Sequence, residues 1–537
     1  MKKLLIVMSA AAVLLTSCVS RNQGPVLKAD EITAGEHTRV QTIYGTVEGY
    51  LDGAVYTFKG IQYGKAERFM PPQDPDSFEG IKMCKLYGPK APQSESLRWS
   101  GDTQRDYTFG NQFILEPMDE ANCLVLNVWT KGINDGGKRP VFLWIHGGGY
   151  STGSAHDLAC YEGKALADKG DIVVVSLNHR LNSLGFTDMR GLGGKYSKSV
   201  NLGLQDIVKA LEWINKNIAK FGGDPAEVTI AGQSGGGMKV STLLAMPSAH
   251  GLFNKAVVQS GSVITQGDGE ASKAFGIQLA KELGVKPDGN ADFSKFTYEE
   301  INAASSRASR ALSQQGIRGG NGGPVVDGEI LPVQPFSPEA PAISKDVAML
   351  IGTNFCEFNF DMSTRNNTTD EQARAQILER YGAENGQKMI EAFGRSYPHK
   401  QLRDLLVIDG NFRGSASQQI EIKARQGGAP AYYYMFAWEP ANNVLGASHG
   451  MELPMMFNNV AIQREMTGSS PEAYAIEEVV SNAWIAFIKT GNPNAKGLPE
   501  WPAYNSETKA CMVFDNVCEV VNDIDKDLLM PRAPRRN

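Results

Sequence analysis

The run Ala231-Gly232-Gln233-Ser234-Gly235-Gly236-Gly237 holds a serine in the order Gly-x-Ser-x-Gly, directly after the apolar segment Glu227-Val228-Thr229-Ile230. A strand that turns at once into a helix leaves no room for side chains beside the turning residue, and the strained turn pushes its hydroxyl into a cleft. Ser234 is therefore a candidate nucleophile. A serine hydroxyl attacks poorly at neutral pH, so it needs a base, and the base needs an acid to orient it. Hydrolysis also needs N–H donors aimed at the oxyanion that forms. Such donors are offered by His146-Gly147-Gly148-Gly149-Tyr150, which follows the apolar segment Arg139–Ile145, because consecutive glycines let backbone approach a substrate closely. The residue after the nucleophile, Gly235, offers another N–H.

For a serine on such a turn the partners follow in chain order, first the acid and then the histidine. Of the seven histidines, His399 and His449 lie well beyond the turn, and His250 follows Ser234 too closely to leave room for an acid strand. His399 sits in the polar stretch Ser396-Tyr397-Pro398-His399-Lys400-Gln401, which reads as an exposed turn. His449 follows the apolar run Ala431–Phe436, on a loop beyond a strand's carboxyl end, where open α/β sheets place catalytic groups. His449 is the expected base. Glu357 is the first carboxylate beyond the apolar run Asp346–Gly352, and Asp361 also fits the spacing.

These side chains require a scaffold that brings distant segments together. Asp171–Leu177 carries the apolar run Ile172-Val173-Val174-Val175, as in a parallel strand covered on both faces. Lys255–Gln259 reads as a further strand. Ile207, Val208, Leu211, Ile214 and Ile218 recur at helical spacing within a helix predicted over 205–220, and a second helix is predicted over Met238–Met246. Strands alternating with helices predict βαβ units and a mostly parallel sheet.

Taken in order, these segments resemble the type B carboxylesterase family, the group that includes acetylcholinesterase and bacterial para-nitrobenzyl esterases. The resemblance covers nearly the whole chain. It begins with Thr42-Ile43-Tyr44-Gly45, Phe58-Lys59-Gly60-Ile61-Gln62-Tyr63 and Arg68-Phe69-Met70-Pro71-Pro72. It continues through Asn122-Cys123-Leu124, Asn178-His179-Arg180-Leu181, Phe221-Gly222-Gly223-Asp224-Pro225, Gln259-Ser260-Gly261-Ser262 and Pro324-Val325-Val326-Asp327-Gly328. It closes on His449-Gly450-Met451-Glu452-Leu453-Pro454, Gly491-Asn492-Pro493-Asn494 and Trp501-Pro502.

The resemblance implies an α/β-hydrolase fold, with a large, mostly parallel central sheet flanked by helices and helical insertions over the active site. It implies hydrolysis of small-molecule carboxylic esters through an acyl-enzyme, without metal or organic cofactor. Ser234 is then the nucleophile, Glu357 the acid and His449 the base, with Gly148, Gly149 and Gly235 as oxyanion donors and Ser260 in support. Gly235 stands where the family usually has alanine, Cys356 and Phe358 replace the usual Asp and Gly around the acid, and Ala121-Asn122 replaces Glu-Asp before Cys123. His179 replaces a tyrosine and reads as a packed strand-end residue. In the family Cys123 pairs with a cysteine near Gly88-Pro89; Ala91 occupies that place here, which leaves Cys84 as the available partner. A Cys511–Cys518 bridge closing a hairpin is a further expectation. The pockets for acyl and alcohol groups are expected from insertions at roughly 84–120, 263–345 and parts of 360–430.

The chain opens Met1-Lys2-Lys3, continues apolar from Leu4 to Leu15, and reaches Leu15-Thr16-Ser17-Cys18. That pattern reads as a secretory signal, too short to span a membrane as a helix, and its end resembles a bacterial lipobox. Residues 1–17 are thus expected as a lipoprotein signal peptide, 18–35 as a tether acylated at Cys18, and 36–530 as the hydrolase domain, held at the membrane in the cell envelope. A net charge of −6 without a basic run gives nucleic acid no footprint. No Cys-x-x-Cys and no Cys/His cluster is spaced for zinc. A catalytically silent surface binding or adhesion protein is the rival on this scaffold, since fold alone does not establish catalysis; the intact Ser234 and His449 argue against it.

Overall fold

The computed structural model describes residues 31–94, 117–320, 322–359, 361–441 and 445–528. The apolar runs form a twelve-stranded sheet: β1 (Ile32–Thr33), β2 (Tyr50–Asp52), β3 (Val55–Gln62), β4 (Val125–Thr130), β5 (Arg139–Ile145), β6 (Val173–Leu177), β7 (Gly223–Gln233), β8 (Lys255–Gln259), β9 (Ala348–Asn354), β10 (Ala431–Phe436), β11 (Ala510–Phe514) and β12 (Glu519–Asn522). Their spatial order is β1-β2-β3-β4-β6-β5-β7-β8-β9-β10-β11-β12. The run from β6 to β11 pairs in parallel, and the strands at either end pair antiparallel. Every residue of β6, β8, β9 and β10 is buried, because helices cover both faces of the sheet; that is why these strands read as unbroken apolar runs rather than alternating ones.

Eight of the helices frame this sheet and its insertions: α1 (Leu202–Asn217), α2 (Gly235–Leu243), α3 (Gly269–Glu282), α4 (Tyr298–Gln314), α5 (Asp370–Tyr381), α6 (Ala383–Ser396), α7 (Asn411–Gln426) and α8 (Pro471–Thr490). α1 starts three residues earlier than its apolar spacing predicts and passes into a 3-10 turn at Ile218–Phe221. α2 also begins earlier than predicted, since Gly235, Gly236 and Gly237 form its first turn. α3 and α4 bury Phe275, Leu279, Ile301, Ala304, Ala308 and Leu312 in a core of their own.

Register is what assembles the site. Gly232 pairs with Ile145, Gln233 with Gln259, and Gln259 with Gly352. The glycine run, Ser234, Ser260 and the acid loop therefore leave the sheet at one edge, beyond the carboxyl ends of neighbouring parallel strands.

Ile32–Thr33, within the segment expected as tether, pairs with β2. Two expectations, both of them disulfides, change. Neither expected disulfide forms, because Cys84, Cys123, Cys160, Cys356, Cys511 and Cys518 are all free thiols. The Lys59 N–H donates to the Cys84 carbonyl at 2.7 Å, whereas the Tyr63 N–H donates to the Leu124 carbonyl, beside Cys123, at 3.1 Å. Those contacts lie four residues apart along the chain, across the register shift between Phe58 and Ile61, so the two cysteines are held at different points of the strand. At the other end, Val521 lies opposite Cys511, so Cys518 is roughly 10 Å out of step with it. Cys18 lies outside the described residues. Among those described, no helix is long and apolar enough to cross a membrane.

Candidate active site

β7 ends at Gln233 and α2 begins at Gly235, so Ser234 alone makes the turn, at φ 57° and ψ −126°. A non-glycine residue in that region costs on the order of 1–3 kcal/mol and persists only where its surroundings over-determine it. They do so here. The Ser234 N–H donates to the Gln259 carbonyl at 2.8 Å, and the Met238 N–H donates to the Ser234 carbonyl at 2.9 Å. A β-carbon on Gly232 would sit 2.4 Å from the Gly236 carbonyl carbon, and one on Gly235 would sit 2.1 Å from the Gly149 carbonyl oxygen. In this chain a side chain at 235 would force the Gly149 backbone to shift. The close approach sets the backbone of Gly149 directly against that of Gly235, beside the half-buried Ser234.

Glu357 is fully buried and turns at φ 49° just past β9. One carboxylate oxygen, Oε1, accepts from the Ser260 hydroxyl at 2.6 Å and from the Asn354 N–H at 2.7 Å. The other, Oε2, meets His449 Nδ1. The two loops are also joined through their backbones: the His449 N–H donates to the Glu357 carbonyl at 3.0 Å, and the Cys356 N–H to the Ala447 carbonyl at 3.0 Å. With a carboxylate as its partner, Nδ1 carries the proton and Nε2 keeps a lone pair. Among the described residues Nε2 makes no hydrogen bond. A β-carbon on Gly450 would lie 3.8 Å from the Gln233 side chain, which sets the histidine loop beside the residue preceding Ser234.

Of the alternatives left open by spacing, Asp361 caps the short helix Met362–Asn367, accepting from the Thr364 N–H at 3.1 Å. His399 and His250 are exposed on other loops. His179 is fully buried and stacks on His146 with centroids 4.9 Å apart; burial and then the Lys239 charge hold it well below the usual imidazole range. It is a packed residue, as its strand-end position implies.

A second buried carboxylate belongs to the site and was not singled out by sequence reasoning. Glu452 accepts from Asn354 Nδ2 at 2.6 Å and from Gln259 Nε2 at 3.2 Å. Burial, followed by the charge of Glu357, pushes its carboxyl up to about 7. Burial and then Glu357 also raise Asp409, whose side chain accepts from the Phe412 N–H at 2.8 Å at the start of α7. The signal for Glu452 was its place three residues after His449, inside the motif His449-Gly450-Met451-Glu452. Phe358 and Phe412 pack on the imidazole; Phe358 stood out in the sequence only as a departure from the usual glycine, and Phe412 carried no signal. No group of His, Cys, Asp or Glu among the described residues is arranged to hold a metal ion.

A sequence model of the carboxylesterase family matches residues 36–527. The chain belongs to the carboxylesterase family. It is 31% identical over 504 residues to the para-nitrobenzyl esterase of Bacillus subtilis, covering 91% of this chain and 97% of that one. It is also 31% identical to the phenmedipham hydrolase of Pseudarthrobacter oxydans, covering 90% and 96% of the two chains. Among solved structures, an esterase from anaerobic Clostridium hathewayi that can hydrolyze aliphatic aromatic polyesters superposes with a TM-score of 0.84 at 32% identity, covering 93% of this chain and 99% of that one. The esterase is thus an α/β-hydrolase and a carboxylic ester hydrolase.

Proposed function

We propose that Ser234 is the nucleophile of this esterase, with His449 as base and Glu357 as the acid that orients it. The Ser234 Oγ attacks the ester carbonyl while its proton passes to His449 Nε2, and the carbonyl oxygen takes up negative charge. The N–H groups of Gly148, Gly149 and Gly235 stabilise that charge. The tetrahedral intermediate collapses, the C–O bond to the alcohol breaks, and the proton on His449 goes to the leaving oxygen. Water, deprotonated by His449, then attacks the acyl-Ser234 ester and releases the acid. Ser260 supports the acid by donating to Oε1. One observation supports this reading above the others: Glu357 holds His449 through Nδ1, leaving Nε2 without a partner among the described residues, on a loop that lies beside the side chain of Gln233, the residue before Ser234.

Two of the relatives, a para-nitrobenzyl esterase and an esterase that can hydrolyze aliphatic aromatic polyesters, support an ester with an aromatic part as substrate. The lipobox-like Leu15-Thr16-Ser17-Cys18 supports export and a lipid anchor at Cys18, with the catalytic domain held in the bacterial cell envelope on the periplasmic or the surface face. An organophosphate tests the chemistry directly. The wild type should take up one phosphoryl group per chain at Ser234, with loss of esterase activity in step. Stoichiometric labelling elsewhere, or none, would overturn the assignment.

A further inference from the structure

Two phenyl rings pack on the imidazole of the candidate base. Phe358 lies against the His449 imidazole with centroids 4.1 Å apart and planes inclined by 33°. Phe412 approaches the same imidazole at 5.0 Å and 42°, and the two phenyl rings lie 5.7 Å from each other. Phe358 keeps 45% of its surface exposed, while the His449 side chain keeps 6%. Phe358 and Phe412 also line a cavity of about 450 Å³ that extends past Ile408 and Thr364 to Arg380 and that neither Ser234 nor His449 lines; the two phenyl rings thus stand between that cavity and the imidazole.

The chemistry of His449 decides what part of a substrate these rings face. The proton that His449 takes from Ser234 must reach the leaving oxygen, which therefore comes within about 3 Å of Nε2. The first carbon atoms of the departing alcohol then fall within van der Waals reach of rings packed on the imidazole. Phenyl rings prefer offset or edge-to-face contact with another aromatic ring over contact with an aliphatic group of the same size. We propose that Phe358 and Phe412 form the leaving-group subsite and select esters of aromatic alcohols. This rests on the reading of Ser234, Glu357 and His449 as the triad, and it names which side of the ester holds the ring and which residues recognise it.

Two matched substrate pairs test it. Benzyl acetate and cyclohexylmethyl acetate differ only in the aromaticity of the leaving group. Methyl benzoate and methyl cyclohexanecarboxylate differ in the same way on the acyl side. For the acetate pair, Phe358→Leu and Phe412→Leu should each lower the aromatic-to-aliphatic ratio of kcat/KM by about three- to tenfold, as expected for the loss of one aromatic contact. Phe358→Trp should restore the ratio, and the acyl pair should keep its ratio throughout. Equal losses on both acetates would mean that the rings only hold His449 in place, and the proposal would fail. A change confined to the acyl pair would overturn it as well. Thermal melting confirms folding of each variant, which the exposure of Phe358 favours. Turnover surviving in Ser234→Ala would defeat the triad reading itself, whatever the ratios show.

Discussion

Glu357 and His449 are joined twice, once through the His449 N–H to the Glu357 carbonyl at 3.0 Å and once through the imidazole Nδ1 to the carboxylate. The backbone bond positions the histidine before its side chain does anything, and the carboxylate then selects the tautomer. Glu357→Gln keeps the first bond and removes the charge from the second. We expect kcat to fall by about 10⁴-fold, with KM much less affected. Asp361→Asn preserves a helix cap of equal quality and should leave kcat within about tenfold of wild type, as for a residue outside the triad. Steady-state kinetics on one aryl ester distinguishes the two; a crippled Asp361→Asn beside a mild Glu357→Gln would move the acid along the loop.

His449→Ala removes the proposed base outright and should cost at least about 10⁴-fold in kcat. His399→Ala alters an exposed loop and should leave both kinetic constants unchanged. The opposite outcome for the pair would sink the assignment of the base.

Gly235→Ala forces a β-carbon to within 2.1 Å of the Gly149 carbonyl oxygen unless the glycine loop retreats. Retreat of that loop would displace a proposed oxyanion donor, and losing one such donor costs about 10²–10³ in kcat. A loss of at least about tenfold, with a far-UV spectrum like the wild type, is the expected result. Wild-type turnover in the variant would show that the loop yields without moving its donors.

Glu452 makes stability depend on pH. Its carboxyl is raised from the ordinary 4.5 to about 7 by burial and by Glu357. Between those values the folded chain holds a proton that the unfolded chain has released. Its stabilising effect is therefore full below the unfolded pKa, declines as pH rises toward about 7, and is lost above it. Glu452→Gln cannot titrate there. Its melting temperature relative to wild type should shift in the variant's favour between pH 5 and pH 8, as read by calorimetry. A difference that stays constant across that range would show that Glu452 ionises normally.

Cys18→Ala should release the protein from the membrane fraction while leaving activity in extract unchanged. A membrane-bound pool that survives the substitution would rule out Cys18 as the sole anchor.

The local chemistry of this protein is legible in its sequence because each part has a short-range cause. Gly232 announces the turn at Ser234, since a β-carbon there would run into the Gly236 backbone. The buried strands announce the parallel sheet, because two covered faces demand continuous apolar residues. Glu357 could be narrowed only to a loop shared with Asp361, because spacing does not say which carboxylate turns inward. Tertiary structure decided that through the register of β8 on β9 and the pairing of the acid and histidine loops. It also decided the free thiols, since partners plausible along the chain are held out of step by strand register. Above all, it placed Glu452, Phe358 and Phe412 around the acid and base. These are contacts between segments far apart in the chain, and they exist only once the sheet has closed the distance.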